Sequence, residues 1–245
     1  MAPKPNRDMR MWLVIPAAGS GERMGDTTPK QYLPLGGETV IRHALSAFAS
    51  HELISGIVLI LAAQDRWWAS NDPGVGKPLI LIDGGAHRCH SVLNGLNALA
   101  RKMREDDWVV IHDAVRPCLC TSDVNKLISE VIEDPVGGLL AAPVIDTVKT
   151  AGDDRRVAET VDRGTLWRAM TPQMFRFGLL REALAAAVAT GLSVTDEAQA
   201  VEMAGHRPRI VIGRADNIKL TLPEDLVLAE AILAAREAEA EAVPA

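Results

Sequence analysis

No apolar run in this 245-residue sequence approaches the roughly 20 residues needed to cross a bilayer, so a transmembrane helix is excluded. The opening MAPKPNRDMR is polar, contains proline and lacks an apolar centre, and residues 1–10 read as a flexible leader, not as a signal peptide. Also missing is any run of lysine and arginine interleaved with aromatics. With a net charge of −6, the electrostatic footprint of a nucleic-acid binder is absent. Cysteine is scarce: Cys89, Cys118 and Cys120 are the full set, without paired C-x-x-C clusters. Cys118-Leu119-Cys120 therefore has no second cluster to complete a tetrahedral zinc site, and reduced thiols fit a cytoplasmic location. No internal repeat or low-complexity linker divides the chain. Neither nucleic acid nor membrane is expected as a partner.

What is present fits one soluble α/β domain over residues 11–240, followed by a frayed tail at 241–245. Short β-rich runs occur at 12–15, 57–61, 79–82, 108–111, 139–144 and 210–212, mostly apolar without alternation, as strands covered on both faces should be. Helical patterns lie at 39–50, 91–102, 122–132, 178–190, 196–204 and 223 to about 240. The expected architecture is a Rossmann-like, mostly parallel mixed sheet flanked by helices. In the last helix, Thr221 is the expected cap, Glu224 and Asp225 complement the dipole, and Leu226, Leu228, Ala229 and Ile232 form the apolar stripe. One segment breaks the pattern. Residues 146–161 read as strand, Gly-Asp turn, strand, too polar to bury much alone. Such a ribbon, an arm at about 146–165, either packs on something else, such as another subunit, or is a plain surface loop.

The first strand runs into PAAGSGERMGDTTPKQ, residues 16–31. A dinucleotide fingerprint is excluded, because Gly19, Gly21 and Gly25 are spaced G-x-G-x-x-x-G, and Pro29 and Pro34 prevent a helix from running on from the glycines. A P-loop is excluded because Lys30 is flanked by Pro29 and Gln31. A G-x-S-x-G nucleophile elbow fails because Ala18 stands where the first glycine belongs. What remains is a long loop at the carboxyl end of a strand, where open α/β sheets bind ligands. Its small residues let backbone N–H groups approach an anion, and it then delivers Arg23 and Lys30, an arrangement suited to a polyphosphate. A flexible glycine turn with two solvated cations is the other reading of this stretch alone.

The stretch PAAGSGERMGDTTPKQYLPLGGETVIRHAL resembles the opening of the sugar-nucleotidyltransferase superfamily, in particular the 2-C-methyl-D-erythritol 4-phosphate cytidylyltransferase family. Further stretches match that family in order: DGGAHRCHSV, VVIHDAVRPCL, APVIDTVK, TVDRGTLWRAMTPQMF, and TDEAQAVEMAG followed by GRADNIKLTLPEDL. The resemblance covers about residues 12–232. It implies transfer of CMP from CTP to methylerythritol phosphate with release of pyrophosphate, a Mg²⁺ or other divalent cation, and a homodimer joined through the arm.

Carried over by position, the resemblance makes Arg23 and Lys30 stabilisers of the α-phosphate and Lys219 a second lysine that holds the attacking phosphate near it. Asp113 matches the carboxylate that holds the metal at the end of an apolar strand, although a strand-end Asp is as readily a turn cap. Arg116, Thr147, Arg163 and Thr171 match methylerythritol phosphate contacts, with Thr147 and Arg163 presented by the arm to a neighbouring subunit. Arg163 also has a catalytic place, since its forked donors suit a phosphomonoester. The nucleotide is expected against Ala17, Ala18, Gly19, Gly21 and the Gly84-Gly85 loop, with Ser91 nearby, where small residues let a cytosine lie close to the main chain. Ala86 is apolar where some relatives carry an acid. His87, Cys89, His90 and His112 show no metal-ligand spacing, Trp67-Trp68 reads as a surface or packing pair, and Asp196 and Glu197 read as first-turn acids of a helix. A cytidylyltransferase for another polyol phosphate, such as ribitol 5-phosphate, and a non-catalytic nucleotide sensor are the alternatives.

Overall fold

The computed structural model describes residues 9–19 and 28–242. A seven-stranded sheet forms its centre. Its parallel part comprises β1 (Met11–Pro16), β4 (Gly56–Leu61), β5 (Leu79–Asp83) and β6 (Trp108–Ile111), with β7 (Gly137–Pro143) pairing parallel to β11 (Arg209–Ile212). One strand, β10 (Trp167–Arg176), runs antiparallel between β7 and β6. The order across the sheet is β11-β7-β10-β6-β1-β4-β5. A two-stranded ribbon, β2 (Pro34–Leu35) and β3 (Glu38–Thr39), follows the glycine loop.

The unbroken apolar runs have a physical reason: both faces are covered. Leu13 and Ile15 of β1 point to the side packed by Ile41, Leu45 and Phe48 of α1 (Val40–Ala49) and by Val124 and Leu127 of α3 (Thr121–Val131). Trp12 and Val14 point to the other, against Val92 and Leu96 of α2 (Arg88–Leu99), Leu180 and Leu184 of α4 (Phe177–Ala189) and Val201 of α5 (Glu197–Met203). Burying a Phe48-sized side chain contributes about 2–3 kcal/mol, and the two layers fix which residues stand at the carboxyl edge of the sheet.

Strand β10 is absent from the sequence expectations. Pro172 lies inside it, and the ladder to β7 skips from Ala169 to Gln173, so proline occupies an irregularity where its missing N–H costs nothing. In the last helix, α6 (Glu224–Glu241), the cap differs from expectation. The Asp225 carboxylate accepts from the N–H groups of Thr221 and Leu222, while the Thr221 hydroxyl donates to the Lys219 carbonyl. The stripe also shifts: Ala229 is buried and Leu226, Ile232 and Leu233 pack beside it, but Leu228 is exposed. Met9 and Arg10, read as leader, are held to the body, since Met9 packs on the core and the Arg10 N–H donates to Asp107. The polar ribbon is a hairpin of β8 (Val148–Ala151) and β9 (Val157–Val161). Trp68 is buried in the core, and Trp67 stacks on Tyr32.

Candidate active site

A cavity of about 420 Å³ opens at the carboxyl edge of the sheet, where the chain leaves β1, β5 and β6. The first wall is the start of the glycine loop. The Ala17 N–H donates to the Ile60 carbonyl at 2.8 Å, and the Ala17 carbonyl accepts from Gln31 Nε2 at 2.7 Å. Gln31 is buried, so it ties the return of the loop to its start. Between these ends, Gly21 and Arg23 lie outside the described residues. Lys30 opens a short 3-10 turn, lines the cavity and donates to the Leu220 carbonyl at 3.3 Å.

Beside the start of the glycine loop stands the Gly84-Gly85 turn. The Ser91 hydroxyl accepts from the Gly85 N–H at 3.0 Å and donates to the His87 carbonyl at 3.2 Å. A Cβ on Gly84 would stand 2.4 Å from the Ala18 methyl, and one on Gly85 would stand 2.5 Å from His90 Cβ. The two small-residue loops touch, and only glycine permits that approach.

Asp113 closes the floor just past β6. Its N–H donates to the Thr171 hydroxyl at 3.0 Å. Its Oδ1 accepts from Arg88 Nε at 3.2 Å and Nη2 at 2.9 Å, and its Oδ2 from the Lys219 ammonium at 2.8 Å, with Arg116 Nε 3.8 Å away. Burial opposes ionisation of this carboxyl, but Arg88, Lys219 and Arg116 outweigh it and hold Asp113 well below the usual carboxylate range. Among the described residues that line the cavity, Lys30, Arg88 and Lys219 bring three cations and Asp113 one carboxylate, a balance that favours an anionic ligand.

Behind the floor, Thr171 Oγ1 lies 3.0 Å from His112 Nδ1, and His112 Nε2 lies 3.3 Å from the Arg116 carbonyl. A carbonyl can only accept, so Nε2 carries the imidazole proton and the Thr171 hydroxyl donates to Nδ1. Burial pushes the His112 pKa down to about 4, which keeps the ring neutral. Arg116 Nη1 donates to the Asn217 carbonyl at 2.7 Å, and Asn217 Nδ2 donates to the Thr171 carbonyl at 2.8 Å. Thr171 and Arg116 are thus buried behind Asp113, where they bond to protein groups instead of lining the cavity. Thr147 and Arg163 stand apart as well. Both are exposed at the foot of the hairpin, and Arg163 donates to the Ile145 carbonyl.

Of the expected residues, the cavity brings together Ala17, Ala18, Gly19, Lys30, Gly85, Ser91, Asp113 and Lys219. Arg88, Gln31 and Asn217 were not anticipated. Glu197, read as a first-turn acid, does stand in the first turn of α5, and it is also fully buried and paired with Arg88 at 2.6 Å. Arg88 and Glu197 lie inside DGGAHRCHSV and TDEAQ, but nothing in those stretches says that the two side chains meet.

Glycine-lined backbone, cations and an ionised carboxylate gathered at the edge of a mostly parallel sheet form the site of a nucleotidyltransferase. A family model described as IspD, 2-C-methyl-D-erythritol 4-phosphate cytidylyltransferase, matches residues 11–235. Proteins of that name from Pseudomonas entomophila (strain L48) and Pseudomonas aeruginosa (strain PAO1) are 52% and 51% identical over 216 and 217 residues. Those alignments cover 88% of this chain in both cases, and 92% and 93% of the relatives. Among solved structures, a 4-diphosphocytidyl-2C-methyl-D-erythritol synthase superposes with a TM-score of 0.81 at 36% identity, covering 92% of this chain and 99% of that one. The Francisella tularensis 2-C-methyl-D-erythritol 4-phosphate cytidylyltransferase gives 0.79 at 33%, covering 91% and 99%. The chain belongs to the 2-C-methyl-D-erythritol 4-phosphate cytidylyltransferase family.

Proposed function

We infer that this protein transfers the cytidylyl group of CTP to 2-C-methyl-D-erythritol 4-phosphate in isoprenoid precursor biosynthesis, giving 4-diphosphocytidyl-2-C-methyl-D-erythritol and pyrophosphate. Beyond family membership, the observation that carries this is the placement of ionised Asp113 between Arg88 and Lys219, in one cavity with Lys30, Gly19 and Gly85. A phosphate oxygen of methylerythritol phosphate attacks the α-phosphorus. The new P–O bond forms as the bond from that phosphorus to the bridging oxygen breaks, and pyrophosphate leaves with the electron pair. No protein nucleophile is needed, so the residues' work is positioning and charge stabilisation.

In this reading the cytosine lies against Ala17, Ala18 and the Gly84-Gly85 turn near Ser91. Gly19 and Gly21 offer N–H groups to the phosphates. Arg23 and Lys30 stabilise charge on the α-phosphate, and Lys219 draws the incoming phosphate toward it. Arg116 and Thr171 act from behind, by holding the turn that carries Asp113. Thr147 and Arg163 meet the sugar phosphate in the site of a second copy, which gives the polar hairpin something to pack on and makes the enzyme a homodimer. Three free cysteines fit a cytoplasmic enzyme, and among the described residues no helix is long and apolar enough to cross a membrane.

Magnesium binds through one or two carboxylates, with phosphate oxygens and water completing its shell. Among the described residues, Asp113 is the sole carboxylate that lines the cavity, and no group of three or more His, Cys, Asp or Glu side chains able to hold a metal gathers. That donor set fits a divalent cation held chiefly by the nucleotide, with Asp113 as its protein ligand. When bound, the ion neutralises phosphate oxygens. The test is pyrophosphate release from Mg·CTP with methylerythritol phosphate and ribitol 5-phosphate in parallel. Release with the first alone supports the reading; release only with ribitol phosphate, or CTP binding without release, overturns it.

A further inference from the structure

Glu197 begins α5 and is fully buried, yet it does not line the cavity. It pairs with Arg88 at two points, Oε1 to Nη1 at 2.6 Å and Oε2 to Nη2 at 3.0 Å. The other edge of the same guanidinium grips Asp113 Oδ1. A planar fork can grip two carboxylates along two of its edges in this way, a fixed geometry that the compact charge of an ammonium does not reproduce.

The two ends of the bridge are anchored to neighbouring strands. Asp196 accepts from the Gln199 N–H at 2.9 Å and from Gln173 Nε2 at 3.0 Å, while Gln173 Oε1 accepts from the Ala198 N–H at 2.9 Å. Gln173, on β10, sits opposite Ile111 of β6, and Asp113 follows just past that strand. The start of α5 and the floor of the cavity are thus built on neighbouring strands. Arg88 lines the cavity with its side chain 28% exposed, so without Glu197 it is free to turn to a bound phosphate instead.

We propose that Glu197 is a positioning residue: it holds Arg88 on Oδ1 of Asp113, so that Oδ2 alone is presented to Lys219 and to the cavity. The proposal rests on the cytidylyltransfer reading. It gives a buried acid outside the reacting groups a defined part in catalysis, exerted through Arg88.

The test uses full-length wild type, Glu197→Gln, Arg88→Lys and the double variant. Glu197→Gln is expected to lower kcat roughly 10- to 100-fold. The KM for CTP should stay within about threefold, because the nucleotide contacts are untouched. In the Arg88→Lys background, which has lost the bridge already, adding Glu197→Gln should change kcat less than about twofold. A readout independent of turnover is the ¹⁵N-edited NMR signal of the Arg88 Nε–H, assigned by its loss in Arg88→Lys. It should exchange slowly in wild type and broaden or vanish in Glu197→Gln.

Wild-type kcat in Glu197→Gln, a protected Nε–H that survives there, or an undiminished loss in the Arg88→Lys background would each overturn the proposal. If Glu197→Gln fails to fold, Arg88→Lys decides, since unchanged turnover in that variant overturns it too. Absence of pyrophosphate release by wild type would sink the functional reading, and the NMR comparison would still report whether Glu197 sets Arg88.

Discussion

The ammonium of Lys219 donates to Asp113 Oδ2 at 2.8 Å, joining residues 106 positions apart in the chain. The carboxylate is buried, and the Lys219 side chain is 44% exposed. One partner is fixed and the other faces the cavity, so the lysine is poised to follow a phosphate. Lys219→Met is expected to lower kcat about 10²- to 10³-fold, the usual loss when a preorganised charge stabiliser is removed. CTP affinity should fall by far less. Stopped-flow pyrophosphate release and calorimetric CTP binding separate the two, and an equal loss in both would assign Lys219 to ground-state binding instead.

Much of this arrangement could be read in the sequence, for a physical reason. Strands buried on both faces are written as unbroken apolar runs, so β1 and β6 and the positions just beyond them were visible, Asp113 included. Strand β10 was not. Arg168, Ala169, Pro172 and Gln173 break both helix and strand periodicity, and the strand exists because its neighbours pair around the irregularity. The partner of Glu197 was not legible because a first-turn acid looks the same in sequence whether water or an arginine faces it. Arg88 comes from 109 residues away. Thr171 and Arg116 were expected, through the resemblance, as methylerythritol phosphate contacts, but their depth behind Asp113 is set by tertiary packing.

The close contact of the glycine turns gives a steric prediction. In Gly84→Ala the new methyl would stand 2.4 Å from the Ala18 methyl, and Ala18 has no flexible side chain to move aside. The main chain of one loop must shift. Overpacking of this kind costs about 1–3 kcal/mol of stability. A displaced nucleotide pocket should weaken CTP binding by about tenfold or more. Calorimetry at matched folded fraction checks it, and wild-type affinity would show that the base does not use this wall.

His112 makes stability depend on pH in a predictable direction. Its folded pKa is pushed down from 6.5 to about 4 by burial. Between those values the unfolded chain binds a proton that the folded chain refuses, so stability is fully present above about pH 6.5 and falls as pH drops toward 4. The slope from this group approaches ~1.4 kcal/mol per pH unit, about 3 kcal/mol across the window. His112→Gln should be less stable at pH 7, because the bonds to Thr171 and Arg116 change, but flatter over the window. Urea unfolding at several pH values reads this, and parallel curves for the two proteins would contradict it.

The hairpin yields the sharpest test of assembly. Arg163 is exposed at its foot and outside the cavity of its own chain. If it serves the neighbour's site, Arg163→Ala should raise the KM for methylerythritol phosphate while leaving CTP binding nearly intact. A complementation experiment goes further. In a dimer of one Arg163→Ala chain and one Lys219→Met chain, the first contributes an intact cavity and the second an intact arm, so one of its two sites is whole. Refolding or exchanging the two variants at equal amounts makes about half the dimers mixed, and so returns about a quarter of wild-type activity at a methylerythritol phosphate concentration where Arg163→Ala alone is silent. Sites built within one chain would give no recovery at all, because every chain then carries a defect. The same mixture of Lys219→Met with Asp113→Asn should stay inactive in either case, since those residues meet in one cavity.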